Sequence, residues 1–207
     1  MSKTKKNIAT TRKTNTHTHT HTNKQILLPL SKLSSKLSSK HINELALITQ
    51  DINIMKHIGQ GKLWSIKNIK QFVKDEMLEQ NKSIKERKYY SFVLLHNNSV
   101  IGFIAGRKNN TLLPVNSSDY DLLLRMFISN KYKNQGFGKL ILKLFIKKYT
   151  QIIHNITNIN NINLISDIDK NNISSIKIHL VNGFTYTKTI IYPNKKNYDR
   201  YILNITS

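Results

Sequence analysis

The stretch that most constrains this chain runs from Leu122 to Tyr149. Leu122-Leu-Leu-Arg-Met-Phe-Ile128 reads as an apolar strand, and Phe137, Leu140, Ile141, Leu144 and Phe145 repeat at helical spacing. Between them lies a short turn that holds Gly136 and Gly138. A strand, a glycine turn and a helix in that order fix a βα junction, and such a junction is built to receive an anion. Glycine lets backbone come close to a ligand. The first helical turn has amides with no partner in the helix, backed by the helix dipole. Lys133 and Lys139 add positive charge on either side. The segment predicts a ligand that carries phosphate.

Two common phosphate loops do not fit. A Walker A loop needs four residues between its glycines, followed by Gly-Lys-Ser/Thr. The dinucleotide fingerprint needs a third glycine, and that place is taken by Ile141.

At 207 residues the chain suits one domain with a tail. It has no cysteine, which removes disulfides, thiolate metal sites and cysteine nucleophiles and fits a reducing, intracellular setting, most simply the cytoplasm, with a nuclear or, from the transit-peptide-like start, an organellar address as alternatives. No apolar run approaches the ~20 residues of a membrane span, so no membrane partner is expected. Formal net charge is +22, and nine of the 33 basic residues but none of the 11 acidic ones fall in residues 1–40. The remainder is basic as well, which suits a polyanionic ligand, an acidic partner or nucleic acid; a solvated basic surface accounts for it equally.

Residues 1–40 read as a disordered basic tail and 41–207 as the folded domain. The Thr-His alternation around His17, His19 and His21 and the Ser-Lys repeat of 31–40 are low-complexity. The three histidines are read as a repeat expansion, and no metal is expected. Asn43 to His57 reads as a strand leading into a helix, and 63–78 as a helix. Tyr89–Leu95 and Val100–Gly106 form a hairpin, and 109–118 a loop. Asp121–Ile128 is a strand, Gly136–Tyr149 a helix, and Ile159–Ile165 a strand. Asn172–Asn182 is a helix closed by Gly183, and 184–191 with 198–205 a last strand pair. That order predicts an α/β fold of the α+β type, a mostly antiparallel sheet with helices on both faces.

Tyr132-Lys-Asn-Gln-Gly-Phe-Gly-Lys-Leu140 resembles the acetyl-coenzyme A motif of the GCN5-related N-acetyltransferase (GNAT) family, whose core is Gln/Arg-x-x-Gly-x-Gly/Ala. Asn172-Ile-Ser-Ser-Ile-Lys-Ile-His-Leu-Val-Asn-Gly-Phe184 is similar to that family's second signature, Asn-x-x-Ser-Ile-x-x-Tyr-x-x-x-Gly-Phe. Order and spacing agree over roughly residues 90–205. The resemblance implies a central sheet that splays. It also implies acetyl-coenzyme A as co-substrate, and acetyl transfer to a primary amine by direct attack in a ternary complex.

Carried over by position, the resemblance assigns the backbone of Met126, Phe127 and Ile128 to the pantetheine arm and acetyl carbonyl. The amides of Asn134, Gln135, Gly136, Phe137, Gly138 and Lys139 would cradle the pyrophosphate, and Asn172 would contact the cofactor. Lys133 stands where Gln or Arg is usual; it keeps a charge but loses the fork of donors. His179 stands at the tyrosine that protonates the leaving thiolate. It is either an imidazolium acid or a helix histidine without a chemical role. Asp167 is the candidate base with Asp169 beside it, or else a loop carboxylate. Tyr192, Tyr198 and Tyr201 either line the acceptor site or pack.

The acceptor is expected to be a protein N-terminus, a lysine or a small amine, since a basic protein matches polyamines and aminoglycosides poorly. Two other readings remain: an acyl-coenzyme A sensor or scaffold without turnover, and a nucleic-acid binder acting through the basic tail.

Overall fold

The computed structural model describes residues 24–32, 39–58, 61–108, 118–155, 161–192 and 196–206. The histidine repeat and the loop expected at 109–118, apart from Ser118, lie outside them.

One seven-stranded sheet forms the centre. Its strands are β1 (Gln25–Pro29), β2 (Tyr89–His96), β3 (Ser99–Arg107), β4 (Leu122–Ile128), β5 (Asn161–Asp169), β6 (Thr185–Ile191) and β7 (Asn197–Thr206). They lie in the order β1-β2-β3-β4-β5-β7-β6. Every neighbouring pair is antiparallel except β4 with β5. β2 and β3 meet through Asn97 and Asn98, at φ 48° and 60°. Asparagine tolerates this left-handed backbone, which matches the twist of a two-residue hairpin.

The helices are α1 (Ser39–Thr49), α2 (Ile52–Met55), α3 (Ile66–Gln80), α4 (Phe137–His154) and α5 (Ile173–Leu180). They divide the core in two. On one face α4 lays Ile141, Phe145 and Tyr149 against Phe92, Ile104 and Leu122. On the other, Leu45, Met55, Ile69 and Val73 pack on Val93, Phe103 and Phe127. The capping box of Ser65 and Asn68 starts α3.

Two expectations are corrected. The domain begins before residue 41: β1 pairs Ile26 with Leu95 and Leu28 with Val93, and Leu30 is fully buried. The short apolar run Ile26–Leu28 has enough β-forming side chains to cap the sheet edge. Pro29 closes it, where a missing N–H does little harm on an edge strand. The strand expected at Asn43 is helix α1, because its buried residues His41, Leu45, Ala46, Ile48 and Thr49 follow helical rather than alternating spacing.

The junction of β4 and β5 positions the site. Their pairing consists of Leu122 with Leu164 and Leu123 with Ile165, after which the strands part. A polar clamp secures the closed end. Buried Asp121 accepts from the Asn163 backbone N–H at 2.7 Å and from its Nδ2 at 3.1 Å.

Candidate active site

The diverging strands open a cleft of about 850 Å³ that passes from one face of the sheet to the other. On the α4 side it is lined by Met126, Ile128, Gly138, Asn172, Ile178 and His179. On the α1–α3 side it is lined by Lys56, His57, Arg125, Asp167, Asp169, Tyr192 and Tyr198.

Backbone geometry supplies the first functional feature. Ser129 N–H donates to the Ile101 carbonyl at 2.8 Å, so 101 and 129 form a bonded pair. Antiparallel ladders alternate bonded and non-bonded pairs, and the register Phe103–Phe127 and Ile104–Met126 continues without a shift. The backbone groups of Met126 and Ile128 therefore face the gap, whereas those of Phe127 serve β3. Of the three residues expected to meet the arm, only Met126 and Ile128 turn their backbone groups to the gap; Phe127 contributes a core side chain.

The turn supplies the second feature. Asn134 (φ 59°) and Gly136 (φ 82°) are left-handed, so the chain curls round a concave set of amides. Among the described residues, the N–H groups of Asn134 to Lys139 have no acceptor in the protein; the helix ladder begins with Leu140 N–H to the Gly136 carbonyl at 3.0 Å. Lys133, Asn134 and Gly138 line the cleft, while the side chains of Gln135, Phe137 and Lys139 do not. Gln135 Nε2 donates to the Lys131 carbonyl, and Phe137 is buried against His96 and Tyr132. Gly138 is needed for a close approach: a Cβ there would sit 2.6 Å from Ile178 Cδ1 and 3.9 Å from Met126 Cε. Asn172 caps α5 through its Oδ1 on the Ser175 N–H at 3.2 Å, and among the described residues its Nδ2 has no acceptor.

The two candidate catalytic side chains both have partners within the protein. Asp167 is held by Arg200 Nε at 2.7 Å, Arg200 Nη2 at 2.8 Å and the Tyr192 hydroxyl at 2.9 Å. Its side chain is 2% exposed. Both oxygens of this buried carboxylate are already engaged within the protein, an arrangement that suits an architectural place.

His179 Nδ1 lies 2.8 Å from the Ser175 carbonyl, which only an N–H can satisfy, so the ring's other nitrogen is the bare imine. Burial pushes its pKa down to about 4. At neutral pH His179 is uncharged and presents a lone pair, not a proton. Nε2 is buried with no partner among the described residues, and the ring stands edge-on to Phe184 at 4.9 Å.

Two residues not singled out in the sequence, His57 and Arg125, come forward at this end of the cleft. His57, just after α2, lies opposite Asp169; burial and then Lys56 lower its pKa, while Asp169 raises it. Asp169 spends Oδ1 on the Asn171 N–H at 2.9 Å, and among the described residues its Oδ2 has no partner. Tyr192 and Tyr198 pack together with ring centres 4.6 Å apart. Tyr201, three residues along the same strand from Tyr198, turns to the other face and packs on Tyr186. Arg125 is the one charge inside an otherwise apolar strand, and that contrast was visible in the sequence.

A mixed sheet split at one parallel junction, with a cradle of free amides where a helix starts beside the split, defines a class of protein that holds a long anionic ligand between two strands. The chain belongs to the acetyltransferase (GNAT) family: the model of the family so described matches residues 61–184. Among solved structures it is similar to an aminoglycoside acetyltransferase, AAC(6')-Ib, in complex with coenzyme A. The TM-score is 0.63 at 11% identity, covering 87% of this chain and 94% of that one. It is also similar to RimL, a ribosomal L7/L12 alpha-N-protein acetyltransferase in complex with coenzyme A. There the TM-score is 0.63 at 13% identity, covering 89% and 94%. An N-acetyltransferase from Staphylococcus aureus Mu50 gives 0.62 at 16% identity, covering 87% and 98%. At such identities the likeness is one of fold. No protein of curated function matches the chain.

Proposed function

We propose that this protein is an acetyl-coenzyme A-dependent N-acetyltransferase acting on a primary amine by direct attack. One observation carries the reading: the run of amides from Asn134 to Lys139 without acceptors, opening onto the gap between β4 and β5. Amides fixed in the folded chain are ready to hold a pyrophosphate at little cost in reorganisation. The same site suits a pantetheine arm, because Met126 and Ile128 turn their backbone groups into the gap beyond the last β4–β5 rung. Among the described residues no group of side chains could hold a metal ion.

When bound, acetyl-coenzyme A supplies the activated acetyl group. The chain's own residues do the remaining work. The turn amides and Lys133 fix the phosphates. Met126 and Ile128 align the thioester, and the bare His179 Nε2 accepts a hydrogen bond from the arm or from a water. On the opposite face, neutral His57 and the free oxygen of Asp169 take the ammonium proton from the acceptor. The thiolate leaves without His179 as its acid.

Acetyl-coenzyme A should raise the melting temperature, and Gly136→Glu, which places a carboxylate beside the cradle, should abolish that rise. No rise with the wild-type protein at millimolar concentration would remove the proposal. A second reading, an acyl-coenzyme A-binding protein without turnover, is favoured by the engaged Asp167 and the uncharged His179. Release of free coenzyme A thiol in the presence of an amine panel separates the two.

A further inference from the structure

We infer that the amine acceptor carries a carboxylate, which Arg125 recognises. The inference rests on the acetyltransferase reading and names the substrate class of the same cleft.

Along β4, Leu122, Leu124, Met126 and Ile128 pack towards α4, while Phe127 joins the core under α1–α3. Strand alternation puts Arg125 with Phe127, on the face away from the helix that starts at the amide cradle. The cofactor and Arg125 therefore address opposite ends of the cleft. Arg125 lines that cleft and is exposed within it. Among the described residues it makes no hydrogen bond or ion pair, and its field reaches Tyr192.

The neighbouring carboxylate does not explain it. Asp167 lies on the same face, but Arg200 already grips it through two nitrogens. The charges left at this end are Arg125 and Lys56 against Asp169, and the fields of Lys133 and Lys196 also reach His57. A guanidinium held in a cleft with no protein anion on it is a fork of donors matched to a carboxylate. An acceptor with several ammonium groups would meet more cations than anions. An amine with a carboxylate close by places its anion on Arg125 and its ammonium near Asp169 and His57. Free amino acids and peptides with acidic residues next to their N-terminus share this chemistry.

The test compares kcat/KM for coenzyme A release with 4-aminobutyrate, butylamine and 1,3-diaminopropane. A second arm uses peptides that share a first residue and continue with glutamates or with lysines. The carboxylated acceptors should lead by tenfold or more, through KM. Arg125→Gln should erase that lead, and Arg125→Lys should keep part of it. The two arms tell free amino acids from peptides. Equal or better turnover of butylamine or the diamine, or a lead that survives Arg125→Gln, would overturn the inference while leaving the acetyltransferase reading intact. If acetyl-coenzyme A gives no thermal shift, it is that reading which fails. Should no acceptor turn over, thermal shifts with 4-acetamidobutyrate and N-butylacetamide decide: a shift specific to the carboxylate and lost in Arg125→Gln supports the inference, and its absence overturns it.

Discussion

Asp167 and Arg200 face each other across the β5–β7 ladder, and the carboxylate receives both Nε and Nη2 of the guanidinium within 2.8 Å. Their side chains are 2% and 4% exposed. Removing one charge from such a pair strands the other. Asp167→Asn should cost about 3 kcal/mol of stability, read as a lower denaturation midpoint. Pairing it with Arg200→Met should recover part of that loss. Turnover per folded molecule should fall less than tenfold; a far larger fall in kcat with unchanged stability would restore Asp167 as the base.

His179 makes stability depend on pH in a defined direction. Its folded pKa is pushed from 6.5 to about 4, so between these values the unfolded chain binds more protons. The contribution is complete above pH 6.5 and is lost as pH falls towards 4, by about 3 kcal/mol. A His179→Phe variant should show a flatter melting temperature over that window. Its kcat/KM profile from pH 6.5 to 8.5 should keep the wild-type shape, since the ring is already neutral there.

Glu76 gives the opposite slope. It is 1% exposed on α3, accepts from Ser91 Oγ, and its Oε2 has no partner among the described residues. Burial raises its pKa from 4.5 to about 7, outweighing the Ser91 bond. Its contribution is complete below pH 4.5 and is lost as pH rises through 7, by about 3 kcal/mol. Glu76→Gln should therefore melt above wild type at pH 8 and close to it at pH 5.

The two turn glycines should respond differently to alanine. Nothing lies within 4 Å of a Cβ on Gly136, so Gly136→Ala pays only for its φ of 82°, about 1 kcal/mol. At Gly138 the added methyl displaces Ile178, which lies on α5 with His179, the helix that Asn172 caps at the cleft. Gly138→Ala should weaken acetyl-coenzyme A binding, by isothermal titration, more than Gly136→Ala does.

What could be read from the sequence follows the reach of local signals. The turn from Lys133 to Lys139 was legible because its chemistry is backbone chemistry set by adjacent residues. The strand–helix alternation from Tyr89 onwards was legible from periodicity. The surroundings of Asp167 and His179 were not, because each depends on a partner or an environment that only the fold supplies: Arg200 lies 33 residues from Asp167, and burial lowers the pKa of His179. The start of the domain was hidden for a related reason. The short apolar run of β1 gains meaning only from β2, about seventy residues later. Arg125 did carry a local sign, a lone charge in an apolar strand, yet its use depends on where β4 and β5 part.

That parting has a mechanical consequence. Asp121 and Asn163 mark the pivot point from which β4 and β5 diverge, and β4, still paired with β3, runs on for roughly 17 Å beyond Leu123 at about 3.3 Å per residue. A tilt of about 5° at the pivot would displace the far end by roughly 1.5 Å, half the length of a hydrogen bond. Reach between donor and acceptor can thus be retuned from Asp121, a position that touches neither substrate.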